Sequence, residues 1–212
     1  MKNFHRVLAA TLLVAALSNA SAWAGGCSPI VLDLANNGIN LGEAGVGVYF
    51  DVNADGVRDH VQWVRRGGDE GFLALDRNGN GIVDDGSELF GVGTPMILEG
   101  RNAPNGFVGL AQYDSRQLGG NDDGLISDAD AIWPQLRIWV DANADGVSTA
   151  AEMRTLKSYG ITALETIPRI RKYVDPAGNV LPYWAWAAQP ARGGRILMVD
   201  VFFRVLPRTS EP

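Results

Sequence analysis

The sequence has little of what disulfide-rich proteins, zinc enzymes and nucleic-acid-binding proteins need. Its 212 residues include one cysteine and two histidines, which excludes an internal disulfide framework and argues against a zinc or iron–sulfur site. Lys and Arg number 18 against 24 Asp and Glu, a net charge of −6, so nucleic acid is not an expected partner. No apolar run reaches the roughly 18 residues that a transmembrane helix needs, and we expect no transmembrane segment.

The first 24 residues have the three parts of a secretory signal peptide. Lys2 and Arg6 precede a short apolar run, and small residues in Ala-x-Ala order follow it. We expect cleavage after Ala24, or alternatively after Ala22, and an exported protein that is periplasmic or extracellular. The string that ends at Cys27 loosely resembles a bacterial lipobox, so a lipid anchor on that cysteine is an alternative.

The acidic excess is concentrated in the middle of the chain. Residues 51–152 carry 18 acidic and 7 basic residues, a net charge of −11, whereas residues 153–212 carry a net charge of +5. A charge confined to one segment indicates a site more than a general contribution to solubility.

Within this acidic segment the string Asp-x-Asn-x-Asp/Asn-Gly recurs. Complete copies begin at Asp51, Asp76 and Asp141. A fourth copy begins at Asp114 and resumes, after an insertion, at Asn121. A worn fifth copy begins at Asp33 but has Ala35 where an oxygen ligand is expected, and we expect it to bind nothing.

The spacing of these loops suits Ca²⁺, which takes six to eight oxygen ligands. Positions 1, 3 and 5 supply side-chain oxygens, glycine at position 6 makes the turn, position 7 supplies a carbonyl and an acid near position 12 closes the shell. Mg²⁺ fits less well because it prefers a strict octahedron. We predict three to four Ca²⁺ ions, with these ligands: Asp51, Asn53, Asp55, Asp59; Asp76, Asn78, Asn80, Ile82, Asp84, Glu88; Asp114, Asn121, Asp123, Ser127, Asp130; Asp141, Asn143, Asp145, Val147, Glu152.

The loops differ in the residue that closes the shell. Glu152 lies at position 12 of the last loop, the EF-hand spacing, and Glu88 lies at position 13 of the second loop, which requires one bulged residue. Asp130 closes the interrupted loop as a shorter acid. The first loop has Gln62 at position 12 and is interpreted as a shorter clamp that ends at Asp59.

The remaining pattern predicts an α+β fold with short strands, hairpins and strand–loop–helix calcium loops. Alternating apolar residues predict strands at 48–50, 60–64, 71–75, 136–140, 161–167, 180–187 and 196–206. Short helices are predicted at 107–113, 128–133 and 150–159, the last ended by Gly160. We expect one compact domain over residues 25–212.

Three strings carry a resemblance to a known family: Pro29-Ile-Val-Leu-Asp-Leu, Val48-Tyr-Phe-Asp-Val-Asn-Ala-Asp-Gly and Gly71-Phe-Leu-Ala-Leu-Asp-Arg-Asn-Gly-Asn-Gly. With Leu136 to Glu152 they resemble the calcium-binding, self-processing module of FrpC-like RTX proteins. The resemblance covers about residues 29–167 and leaves 168–212 as a C-terminal β extension. It implies a Ca²⁺-loaded module that cuts its own chain at an Asp-Pro bond just before the module. The new aspartyl end can then join a lysine amine.

The chain departs from that family at the cleavage point, where Ser28 precedes Pro29. We therefore predict a stand-alone exported calcium-binding protein, not an enzyme, whose loops stabilise the fold and whose protein partner is unknown. Calcium-dependent self-cleavage at Asp175-Pro176 is one alternative. A surface lipoprotein or adhesion module is another, using the aromatic string 183–186, which otherwise is a core strand.

Overall fold

The computed structural model describes residues 26–208, so the predicted signal peptide lies outside the described residues. This part of the chain has one α-helix, α1 (Gly106–Ala111), and no helix in it is long and apolar enough to cross a membrane. The strands are β1 (Ile30–Asp33), β2 (Gly47–Phe50), β3 (Asp59–Gln62), β4 (Glu70–Leu75), β5 (Pro95–Met96), β6 (Arg101–Asn102), β7 (Leu125–Ser127), β8 (Leu136–Trp139), β9 (Met153–Thr155), β10 (Ala163–Glu165), β11 (Arg169–Ile170), β12 (Val180–Gln189) and β13 (Gly194–Phe202).

Nine of these strands form one curled antiparallel sheet. Its order is β7-β10-β12-β13-β1-β4-β8-β9, with β11 also paired to β12. The first strand, β1, lies in the middle, with Val31 opposite Val199 of β13 on one side and Phe72 of β4 on the other. The two ends of the described chain therefore meet in the centre of the sheet.

Both faces of this sheet are buried, which explains why the central strands are apolar without alternation. On one face, Ile30, Leu73 and Ile138 pack with Phe107 and other residues of the α1 region. On the opposite face, their strand neighbours pack under the separate β2–β3 hairpin.

An aromatic cluster fills the core beneath that hairpin. Trp63, Phe72 and Trp139 lie with ring centroids 4.7–5.8 Å apart, and Phe50 and Phe203 join them. Aromatic pairs at these distances add to the free energy gained by burial. The cluster connects the hairpin to the main sheet.

The predicted α+β class is wrong, because the structure is mostly β and its loops are not followed by EF-hand helices. The helix predicted at 150–159 is instead β9 followed by a 3-10 turn over Leu156–Tyr159. The helix predicted at 128–133 is a turn followed by a 3-10 segment, Trp133–Gln135. Only the helix predicted at 107–113 exists, as α1 and a 3-10 turn over Gln112–Asp114.

Strand pairing explains the loss of the helix at 150–159. A helix this short is marginal in water, whereas Met153 and Arg154 can extend the sheet by pairing with Trp139 and Ile138 of β8. Gly160 still ends the segment in the left-handed conformation, with a φ of 70°. Gly160 therefore ends the segment as predicted, but the predicted helix before it was wrong.

One acidic side chain lies in the centre of the sheet. Asp200 of β13 is fully buried, and its Oδ2 accepts a hydrogen bond of 2.8 Å from the backbone N–H of Gly106. Tyr183 lies opposite Asp200 on β12. Oδ1 of Asp200 has no hydrogen-bond partner. Burial raises the pKa of Asp200 from 3.8 to about 7, although the N–H of Gly106 and the nearby hydroxyl of Ser28 lower it.

We predict that Asp200 makes the stability of the fold depend on pH between about 4 and about 7. Because its folded pKa is raised, its contribution is fully present below the unfolded pKa and is lost as the pH rises through the folded value. Asp200→Asn cannot ionise, so its melting temperature should fall less than that of the parent protein between these pH values. Over this pH range the parent protein should lose on the order of a few kcal/mol more unfolding free energy than the variant, since one pKa unit corresponds to ~1.4 kcal/mol.

Thermal unfolding at saturating Ca²⁺ over this pH range measures the effect. Asp128→Asn, which removes an exposed carboxylate, is the control. Parallel pH profiles for Asp200→Asn and the parent protein would contradict the prediction.

Candidate metal centre

The five Asp/Asn-Gly loops have one backbone conformation in common. The residue at position 4 lies in the left-handed region in every loop, and so does the glycine at position 6. All four non-glycine residues with positive φ in the described chain occupy position 4, with φ between 53° and 61°; they are Asn36, Ala54, Asp122 and Ala144. The interrupted copy and the worn copy therefore fold like the complete ones.

The aspartate at position 1 holds each loop closed through the same hydrogen bonds. In the first loop the carboxylate of Asp51 accepts from the N–H groups of Asp55 at 3.0 Å and Gly56 at 2.8 Å. Asp33, Asp76, Asp114 and Asp141 accept from the equivalent N–H groups. In the interrupted loop these bonds join residues nine and ten positions apart, so the insertion leaves the closure intact.

The predicted closing acids lie together with their own loops. Glu88, Asp130 and Glu152 each accept a hydrogen bond from the N–H at position 9, at 2.9, 2.7 and 3.0 Å. Glu88 also accepts from the N–H groups of Arg77 and Asn78, so it spans the second loop from start to end. The structure thus brings each of these acids to the loop to which its spacing assigns it.

The extra residue in the second loop lies against the first loop. Gly86 donates its N–H to the carbonyl oxygen of Asp51 at 2.7 Å. A Cβ at this position would lie only 1.8 Å from the carbonyl oxygen of Val52, so glycine is required there. The two loops are in direct backbone contact.

The last loop joins the same group. The hydroxyl of Ser148, at position 8, accepts the N–H of Val83, at position 8 of the second loop, at 3.0 Å. Asp141 Oδ2 accepts the indole N–H of Trp63 at 2.7 Å, which ties the loop to the aromatic cluster. Burial raises the pKa of Asp141, although these donors lower it.

Some of the loop carboxylates are buried without a cationic side chain, whereas Asp55, Asp84, Asp123 and Asp145 are exposed. Buried acids at loop positions include Asp33, Asp51, Glu88, Asp114, Asp130 and Asp141. The ion pairs of the described residues involve only Glu99, Asp122 and Glu165, none of which is a predicted ligand. Buried carboxylates are normally paired or bound to metal ions.

Asp130 shows this lack of compensation in a single atom. Its side chain is 3% exposed, its Oδ2 accepts from Ser127, and its Oδ1 has no hydrogen-bond partner. An unpartnered carboxylate oxygen at position 12 fits a hard cation. Within residues 26–208, however, no three His, Cys, Asp or Glu side chains form a ready-made metal site, so any cation would also need asparagine amide and carbonyl oxygens.

Asp69 contacts the loop that begins at Asp33, which the sequence did not predict. Its carboxylate accepts from the N–H of Ala35 and the side-chain amide of Asn37, both at 3.1 Å. It therefore lies beside the position of the worn loop that lacks a side-chain oxygen. The loop motif itself gives no signal for this contact, because Asp69 comes from a distant turn before β4.

The structure describes the residues of the two alternative hypotheses, Cys27 for the lipid anchor and Asp175 for self-cleavage. Cys27 is buried, its Sγ lies 3.9 Å from Asp59 Oδ2, and burial, then Asp59, raises the pKa of the thiol to about 12. The carboxylate of Asp175 accepts from the backbone and side-chain amides of Asn179, both at 2.8 Å, so it closes its own turn. The lipid anchor on Cys27 and the cleavage of the Asp175-Pro176 bond stay predictions.

Comparison with known proteins identifies the family. The SPM domain matches residues 30–204. The chain is also similar to the iron-regulated protein FrpA of Neisseria meningitidis serogroup C, with 42% identity over 139 residues. This match covers 65% of the chain but only 12% of FrpA, and it supports the resemblance to FrpC-like proteins. The chain therefore belongs to the SPM-domain family.

Proposed function

We propose that this protein is an exported calcium-binding protein in which three to four Ca²⁺ ions stabilise the β fold. The observation that carries the proposal is the burial of loop carboxylates that have no cationic side chain as partner. The oxygen-rich donor set favours a hard cation, and the loop spacing favours Ca²⁺ over Mg²⁺.

Each loop position has a separate role in this proposal. The position 1 aspartates hold the loop closed by accepting from the N–H groups of positions 5 and 6 and would offer their remaining lone pairs to the ion. Asparagine and aspartate oxygens at positions 3 and 5, with the carbonyls of Ile82 and Val147, complete the inner side. Glu88, Asp130 and Glu152 close the shell, and the bound ion supplies the positive charge that the side chains lack.

Binding at the loops would act on the whole fold, because each loop joins strands. The first loop connects β2 to β3, the second follows β4, the interrupted loop leads into β7 and the last lies between β8 and β9. Without cations, like charges within each loop repel one another. We infer that cation binding and folding are coupled, since binding free energy then becomes folding free energy.

Calcium removal should weaken or unfold the protein. With EGTA, the mature protein should lose much of its β-sheet circular dichroism and melt at a lower temperature than in millimolar Ca²⁺, because each ion at about 100 times its Kd adds ~2.7 kcal/mol. Mg²⁺ at the same concentration should restore less. Identical spectra and melting temperatures in EGTA and Ca²⁺ would refute the proposal.

Asp130→Asn should weaken calcium binding at the interrupted loop by about tenfold or more, because it removes charge from the closing acid. Asp128→Asn is the matched control: it removes the same charge two residues away from an exposed side chain. Calorimetric titration with Ca²⁺ compares the two variants. Equal losses of affinity would mean that net charge, and not the geometry of Asp130, determines binding.

A further inference from the structure

The segment that contains β11 has four exposed apolar side chains close together in the sequence. Ile167 and Ile170 are 67% and 65% exposed, and Tyr173 and Val174 are 46% and 55% exposed. Single exposed apolar residues are ordinary, but four exposed within eight residues make this segment, here called the patch, a candidate interaction site.

This patch lies along an open edge of the sheet. β10 and β11 pair with successive parts of the same side of β12, through Leu164 with Ala187 and Ile170 with Tyr183. β7 continues the sheet beyond β10, whereas no strand of the described residues lies beyond β11. The place that β7 takes beside β10 is therefore empty beside β11.

The backbone at this edge has hydrogen-bonding groups to offer. The N–H of Arg171 donates to the carbonyl of Pro182 at 2.8 Å, so Arg171 faces β12. Since such contacts alternate along an antiparallel pair, the N–H and C=O of Ile170, opposite Tyr183, point away from β12. An added strand would pair with these groups.

The charge of the edge is positive. Arg169, Arg171 and Lys172 are exposed, and only Arg169 has an ion pair, with Glu165 at 2.8 Å. Arg171 lies over the ring of Trp184, with its guanidinium carbon 5.0 Å from the ring centroid. The segment 167–174 contains no acidic residue.

These charges decide among possible occupants. A second copy that used the same edge would bring like charges together, which is destabilising in paired strands. An anionic membrane would satisfy the charges but leave the edge N–H and C=O groups without directional partners. Basic side chains alone also protect an edge from aggregation, but that role does not require the four exposed apolar side chains.

We propose that the outer edge of β11 docks an extended acidic segment of another protein, which adds to the sheet as a strand. Its backbone would pair with Ile170, its carboxylates would meet Arg171 on one face of the added strand, and its apolar side chains would cover Ile170 on the other face. Lys172 would add to the positive charge of the edge. This site is separate from the calcium loops and has its own test.

Two synthetic peptides of equal length test the proposal, one alternating Glu with Val and the other alternating Lys with Val. The Ca²⁺-loaded protein should bind the Glu peptide, more weakly at high salt, and should not bind the Lys peptide. Arg171→Glu/Lys172→Glu should weaken binding at least ~tenfold, whereas the matched reversal Arg66→Glu/Arg208→Glu should leave it unchanged. Amide hydrogen exchange at Ile170 should slow when the Glu peptide binds.

Three results would overturn the proposal. The two peptides could bind equally, or the two double variants could lose the same affinity, and either result would show that no specific edge is involved. Binding to phosphatidylglycerol vesicles without slowed exchange at Ile170 would instead assign the patch to a membrane surface.

Discussion

The structure depends on one electrostatic constraint: several carboxylates of its loops are buried, and within residues 26–208 none of them forms an ion pair with a Lys or Arg side chain. Hydrogen bonds from loop amides hold these groups in place but supply no positive charge. Burying an unpaired carboxylate costs several kcal/mol, so such loops favour a bound cation. The proposed Ca²⁺ ions would supply the positive charge that these loops lack.

The sheet and the loops depend on each other through backbone contacts. Gly86 lies against Asp51, Val83 against Ser148, and Trp63 against Asp141, so three loops form one connected group beside the aromatic cluster. The sheet in turn brings these loops together by placing β4 between β1 and β8. A change in one loop would therefore be transmitted to its neighbours and to the core.

Much of the strand content could be predicted, because alternating apolar residues report directly on strands. The hairpin of β2 and β3 and the strands β4, β8, β12 and β13 lie where the pattern predicted them. The helices at 128–133 and 150–159 were wrong, since local propensity cannot show that β8 offers a free edge to Met153. For the candidate site, spacing along the chain assigned each closing acid to its loop. It could not find Asp69, whose contact with Asn37 spans 32 residues.

The sequence by itself determined the loops, because their turns and most of their hydrogen bonds are local. The aspartate at position 1 accepts from the backbone N–H groups of positions 5 and 6 of the same loop. It also determined the distribution of charge, with an acidic middle and a basic tail. Only the tertiary structure decided what those charges face. Long-range strand pairing buries several loop carboxylates without cationic partners and leaves Arg171 and Lys172 beside an open edge. Such pairing depends on contacts between residues far apart in the chain.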